Sequence, residues 1–166
     1  LNHYACVGRG VKWFVARTKS LLSSLPPHRM PPSAARPDLE HVARRHPDVY
    51  LPSMPDTQLL LDAVNALDLT PAPTVCLEVA CGSAPLAAQL ALRLGSSAAT
   101  LATDVSVSAM AAATETAQCN GVSLQIVRMD VVEALRPGLV DVLIWLVLVG
   151  VTRSAALIPC LEVPCP

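Results

Sequence analysis

Three acids recur along the chain, each placed where an apolar run gives way to a turn. Glu78 lies in Thr74-Val75-Cys76-Leu77-Glu78-Val79, Asp104 follows Ala99-Thr100-Leu101-Ala102-Thr103, and Asp130 follows Leu124-Gln125-Ile126-Val127-Arg128. Ionised carboxylates are pure acceptors, suited to hydroxyl, amino and ammonium groups of a polar ligand. After Glu78 comes a loop of small residues, Ala80-Cys81-Gly82-Ser83-Ala84, and small residues at a helix start let backbone amides approach a ligand closely. This is binding chemistry rather than hydrolysis. All four histidines (His3, His28, His41, His46) precede residue 47, so a Ser/His/Asp or Cys/His arrangement would need a base from outside the globular part. The six cysteines (Cys6, Cys76, Cys81, Cys119, Cys160, Cys165) form no C-x-x-C pair, and no metal site is expected from their spacing.

These acids need a scaffold that brings distant loops together. From Asp56, apolar residues at Leu59, Leu60, Ala63, Val64 and Leu67 recur at helical spacing, with Asp56 or Thr57 as N-cap. The β-branched run 74–79 reads as a buried strand, and Pro85 to Leu94 as a helix with proline in its first turn. The pattern then repeats: a strand over 99–103, a helix from Ser106 to Asn120 closed by Asn120-Gly121, a strand over 124–128, a helical turn over 131–135, and a fourth strand from Val140 to about Val149. Strands alternating with helices predict a parallel sheet with right-handed crossovers. In such a sheet ligands bind beyond the carboxyl ends of the strands, which is where Glu78, Asp104 and Asp130 fall. Three acids in successive loops point to one shared pocket.

The chain has 166 residues, 52% hydrophobic but only 3% aromatic, so its core must be made of Ala, Val and Leu. Residues 1–50 carry eight Lys/Arg against three acids, and the remainder four Arg against ten acids. The acidic part offers no basic face for a phosphate backbone, so nucleic-acid binding is not expected. Residues 1–37 contain no acid, with Arg and Lys spaced around Trp13, Phe14, Val15 and Leu21-Leu22. Two readings stand side by side: a transit peptide, or leader sequence ahead of a start at Met30. Residues 1–47 are accordingly expected to be a basic, largely disordered leader, and 48–166 a partial domain. Free cysteines and the absence of a secretory apolar segment favour a cytoplasmic location, with the mitochondrion as the alternative if 1–37 is a transit peptide. The stretch from Val142 to Leu161 has the length of a membrane span, but Gly150, Arg153 and Pro159 inside it favour a buried strand and no membrane attachment.

The order strand, small-residue loop, helix, strand, Asp resembles the class I S-adenosylmethionine-dependent methyltransferases. Glu78-Val79-Ala80-Cys81-Gly82-Ser83-Ala84 matches their acid followed by alternating glycines, with two glycines replaced by alanine. Val49-Tyr50-Leu51-Pro52, Asp56-Thr57, Leu59-Leu60-Leu61-Asp62-Ala63, Thr103-Asp104-Val105, Cys119-Asn120 and Val140-Asp141-Val142-Leu143-Ile144 resemble the HemK-type glutamine methyltransferases, most of all their eukaryotic branch. The resemblance covers about 48–145. It implies an α/β fold with a Rossmann-like parallel sheet of the class I methyltransferase type, here incomplete at the C-terminus. It implies S-adenosyl-L-methionine as cofactor. It assigns Thr57 near the methionyl end, Glu78 on the amino-group side, Ala80 and Gly82 beside the ligand backbone, Asp104 on the ribose hydroxyls, and Asp130 with the Val131 amide at the adenine. A translation termination factor is the implied substrate, and a small zinc-binding activator subunit the implied partner.

One departure bears on activity. After the Val140 to Ile144 segment the family reads Asn-Pro-Pro-Tyr, whose Asn holds the substrate amide; this chain has Leu146-Val147-Leu148-Val149. No catalytic residue is assigned, and a form impaired in methyl transfer is expected, because positioning is most of what such a site contributes. The alternative is a non-catalytic binding fragment that docks a partner by strand addition, since the last strand would leave a long apolar edge open to pairing or aggregation.

Overall fold

The computed structural model describes residues 12–17, 36–130, 135 and 138–147. Five strands, β1 (Lys12–Arg17), β2 (Val75–Val79), β3 (Ala99–Asp104), β4 (Gln125–Arg128) and β5 (Val142–Val147), form one sheet in the order β1-β5-β2-β3-β4. Every pairing is parallel. Among the described residues four α-helices accompany them, α1 (Glu40–Arg45), α2 (Pro55–Ala66), α3 (Pro85–Leu94) and α4 (Val107–Asn120), with a short 3₁₀ turn over Gly95–Ser97. The parallel α/β architecture read from the sequence is therefore the architecture of the protein.

Alternation along β2 sorts its side chains between two faces. Cys76 joins Leu60, Leu61, Val64, Leu86, Leu90, Val142 and Ile144 in a core beneath α2 and α3. Leu77 and Val79 turn to the other face, with Leu101 and Leu143 and with Leu135, Val140 and Trp145 packed against them. A third cluster, Cys81, Ala84, Ala87, Ala102 and Ala113, consists of small side chains alone. It joins the loop after β2 to α3, β3 and α4, and small volumes there allow close approach of backbone to backbone. This is how a chain with so few aromatics fills its centre.

Helix ends are satisfied by specific groups. Ser106 caps α4, its side chain accepting from the Ala109 amide, and Gly121 closes the helix at φ 61°, as Asn120-Gly121 predicts. The Arg93 guanidinium donates to the Val64 carbonyl, which also accepts the Leu67 amide, and to the Leu67 carbonyl, closing the end of α2. The start of α2 differs from expectation. Its N-cap is Met54 with no side-chain cap bond, and neither Asp56 nor Thr57 serves. Pro55, whose ring fixes a helical φ and whose missing amide needs no partner, starts the helix ahead of both.

Two further corrections concern the leader and the last strand. The boundary at residue 47 does not hold: α1 lies ahead of it, His41 and Val42 are buried, and residues 36–46 bond to α2 and α4. Farther upstream, Lys12–Arg17 is a strand. It pairs with β5 over six residues, from Lys12 opposite Val142 to Arg17 opposite Val147, so the β5 edge is not open. Residues 131–134 of the expected helical turn and the continuation beyond Val147 lie outside the described residues, as do 1–11, 18–35 and 136–137.

Candidate functional site

The site grows from the carboxyl end of β2. Past Val79 the backbone keeps its link to β3 for one more step, the Cys81 amide donating to the Thr103 carbonyl at 2.9 Å. Between these strands and α3 the loop runs through three left-handed residues at alternate positions: Ala80 (φ 52°), Gly82 (φ 54°) and Ala84 (φ 57°). Alanine takes this region only at a cost, because Cβ crowds the following carbonyl. The alternation of the family's glycines thus persists in the backbone although only Gly82 is glycine. The loop's amides are used to fix its own path: Cys81 donates to Thr103, Gly82 to Asp104 and Ala84 to the Cys81 carbonyl at 2.7 Å.

Asp104, the last residue of β3, braces that loop. Its Oδ2 accepts the Gly82 amide at 2.9 Å and its Oδ1 accepts the Ser106 amide at 2.9 Å. Each carboxylate oxygen has a second lone pair, so the group still has acceptor capacity. Asp104 is only half-buried, which leaves that capacity accessible. At the next strand, the Met129 amide donates to the Asp104 carbonyl at 3.1 Å, drawing the end of β4 and the exposed Asp130 toward the same place. Val131 lies outside the described residues.

Glu78 is placed differently. Its side chain shares the Cys76 face of β2, directly under the start of α3, and Oε2 accepts the Ala87 amide at 2.7 Å. The residue is 4% exposed. Burial pushes its carboxyl up to about 8, the amides of Ala87 and Leu86 acting against the rise and Asp104 adding to it. Its first task is structural: it meets the bare amides at the N-terminus of α3. That bond was invisible to sequence reading, since the spacing Glu78 to Ala87 spans a turn whose path only the fold reveals.

Thr57 is buried in the first turn of α2. The segment before it runs along the loop: a Cβ on Gly82 would lie 3.7 Å from Val49 Cγ1, and the Tyr50 hydroxyl donates to Asp56 Oδ2 at 2.8 Å. Burial and that bond push the Tyr50 hydroxyl up to about 12, so it remains a donor. Gly82 and Asp104 are thus in direct contact, Ala80 and Asp130 adjoin them, and the start of α2 is tied in through Val49 and Tyr50. Val49 and Ser106 were given no site role from sequence, Val49 entering only through the Val49-Tyr50-Leu51-Pro52 resemblance and Ser106 only as a helix start; Val49 is a buried valine whose neighbour lies across the fold.

An all-parallel sheet whose second strand runs into a left-handed small-residue loop, braced by an acid at the end of the next strand, defines a Rossmann-like domain of the class I methyltransferase type. The profile of the methyltransferase small domain matches residues 44–145. The chain is 42% identical over 119 residues to methyltransferase HEMK2 of Mus musculus, a match covering 69% of this chain and 55% of that protein. It is 42% identical over 116 residues to methyltransferase HEMK2 of Homo sapiens, covering 67% and 54% respectively. The chain belongs to the methyltransferase small domain family and is a HemK-type class I methyltransferase by descent. It spans about half the length of these curated relatives.

Proposed function

We propose that the loop at 80–84 and its neighbours bind S-adenosyl-L-methionine, and that the chain is a protein-glutamine methyltransferase of the HemK type, impaired in methyl transfer in this form. Bound, the cofactor supplies an electrophilic sulfonium methyl group. The observation that carries the reading is the Gly82 to Asp104 contact. It sets a half-exposed carboxylate with spare lone pairs beside a loop of small residues that lets a ligand approach the backbone closely, a setting that fits a nucleoside carrying an amino-acid tail. In this reading Asp104 accepts from the ribose hydroxyls, Ala80 and Gly82 adjoin the tail, and Asp130 with the Val131 amide meets the adenine. Thr57 sits at the methionyl end, and Glu78 acts from below by fixing α3.

The impairment follows from Leu146-Val147-Leu148-Val149. No side chain there can hold a substrate amide, and misplacing the reacting nitrogen costs orders of magnitude in rate. The substrate in this reading is the glutamine of a translation termination factor, and the partner a small zinc-binding subunit. The alternative, a docking fragment using the β5 edge, has less support, because β1 already pairs with that edge.

Calorimetric titration of the full chain with S-adenosylmethionine tests the cofactor site. Asp104→Ala removes hydrogen bonds to a charged group worth about 1.5–3 kcal/mol, so the dissociation constant should rise by roughly ten- to a hundredfold with the circular dichroism spectrum retained. Absence of heat at millimolar ligand, or equal affinity in the variant, would exclude this site. Methyl transfer from labelled cofactor to a glutamine-containing termination-factor peptide should stay near background, even with the zinc-binding subunit added. Efficient turnover would disprove the impairment.

A further inference from the structure

Gly82 is the most permissive residue of the loop, and something must hold it. Beside it stands Val49, 3.7 Å from where a Cβ would be and buried with Val42 of α1 and Ala112 of α4. Val49 is itself positioned by His46, whose carbonyl accepts the Val49 amide at 3.0 Å across the turn at Pro47-Asp48. His46 is fixed in turn, its Nε2 lying 2.8 Å from Glu115 Oε2, while Arg45 pairs with Glu115 Oε1. His46, Arg45 and His41 hold the Glu115 carboxyl below the usual carboxylate range.

The rest of the segment is pinned along the same helix. His41 Nε2 lies 3.0 Å from Thr116 Oγ1, and because that hydroxyl donates to the Ala112 carbonyl, the ring nitrogen is the donor. Asp38 and Asn120 exchange two bonds, the Asp38 amide to Asn120 Oδ1 at 2.6 Å and Asn120 Nδ2 to the Asp38 carbonyl at 2.9 Å. Arg36 reaches Gln58 and Asp62 of α2. Residues 36–49 therefore form a strap from α2 along α4 that ends on the glycine of the loop. We propose that this strap is a positioning device for the cofactor loop: Glu115, by holding Arg45 and His46, keeps Val49 against Gly82, and Val49 keeps the loop amides in the orientation a ligand requires. The inference rests on the cofactor reading for its ligand, but not for the placement of Val49 beside Gly82.

The test is hydrogen exchange of the full chain without ligand, read on peptides covering 80–84 and 88–94, followed by titration with S-adenosylmethionine. In Glu115→Gln and Val49→Ala, exchange over 80–84 should quicken several-fold while 88–94 is unchanged. If the competent loop falls to about a fifth of the population, the apparent dissociation constant rises about fivefold. Glu115→Asp, which keeps a carboxylate for Arg45 and His46, should restore both readouts. Unaltered exchange over 80–84 in both variants overturns the proposal. So does an equal rise over 80–84 and 88–94, since that reports general loosening. If wild-type protein binds no cofactor, the cofactor reading fails, and the exchange comparison still decides whether the strap holds the loop.

Discussion

At the residue level, the loop after β2 keeps a glycine-like backbone with alanine at two of its three left-handed positions. Each left-handed L-residue costs about 1–2 kcal/mol, and such strain persists where the surroundings fix it. Ala80 is exposed, so removing its methyl leaves no cavity. Ala80→Gly should stabilise the fold by about 0.5–1 kcal/mol, the relief of strain exceeding glycine's larger loss of chain entropy; the urea midpoint measures it, and a lower midpoint would contradict the strain argument. Ala84 is fully buried, so the same change there removes core volume and should not help. Glu78 gives a second prediction. Its carboxyl titrates near 8 in the folded protein, above the ordinary 4.5. Between those values the folded state holds a proton that the unfolded state has released, so stability must fall as pH rises through that window. Glu78→Gln should flatten the decline between pH 5 and 8, and parallel curves would show that Glu78 is not its source.

The central elements hold together partly through Asp141, just before β5. Its Oδ2 accepts the amides of Thr74 and Val75 at 2.7 and 3.0 Å, and its own amide donates to the Val75 carbonyl at 2.9 Å. One acid thus ties the start of β2 to the start of β5. The Val75 and Thr74 amides hold its carboxyl below the ordinary value, so its contribution is present above that value and is lost as pH falls through the folded one. Asp141→Ala should cost about 1–2 kcal/mol in urea denaturation near neutral pH, less in strong acid; no loss at neutral pH would mean that other groups fix the register. β2 to β5, α3 and α4 were legible because alternation, helical spacing and turn residues agree within each segment. Asp104 and the loop were legible for the same reason, as both follow directly from strand ends. α1 was not legible: Glu-His-Val-Ala-Arg-Arg has no apolar stripe, and its partners Glu115 and Thr116 are reached only through the fold. β1 was missed because six residues between basic neighbours carry no signal of which strand they join.

For the whole molecule, the decisive feature is what flanks β5. The last strand read from the sequence is a run of large apolar residues, and an unpaired strand of that kind is a template for other chains. In the structure its two sides are taken by β2 and by β1, the latter from the basic leader. The leader's strand therefore protects the sheet, and this gives a function to residues that composition alone assigned to a separate segment. Removing residues 1–35 should leave the 36–130 framework intact, because among the described residues its cores and the strap are built from Arg36 onward. It should also open six residues of β5. The truncated chain is expected to self-associate with concentration in sedimentation velocity while its far-ultraviolet spectrum keeps its helix signal. Val15→Pro, which takes a backbone donor from the middle of β1 without shortening the chain, should move association in the same direction. If both variants sediment as the full chain does, β1 is not what guards this edge.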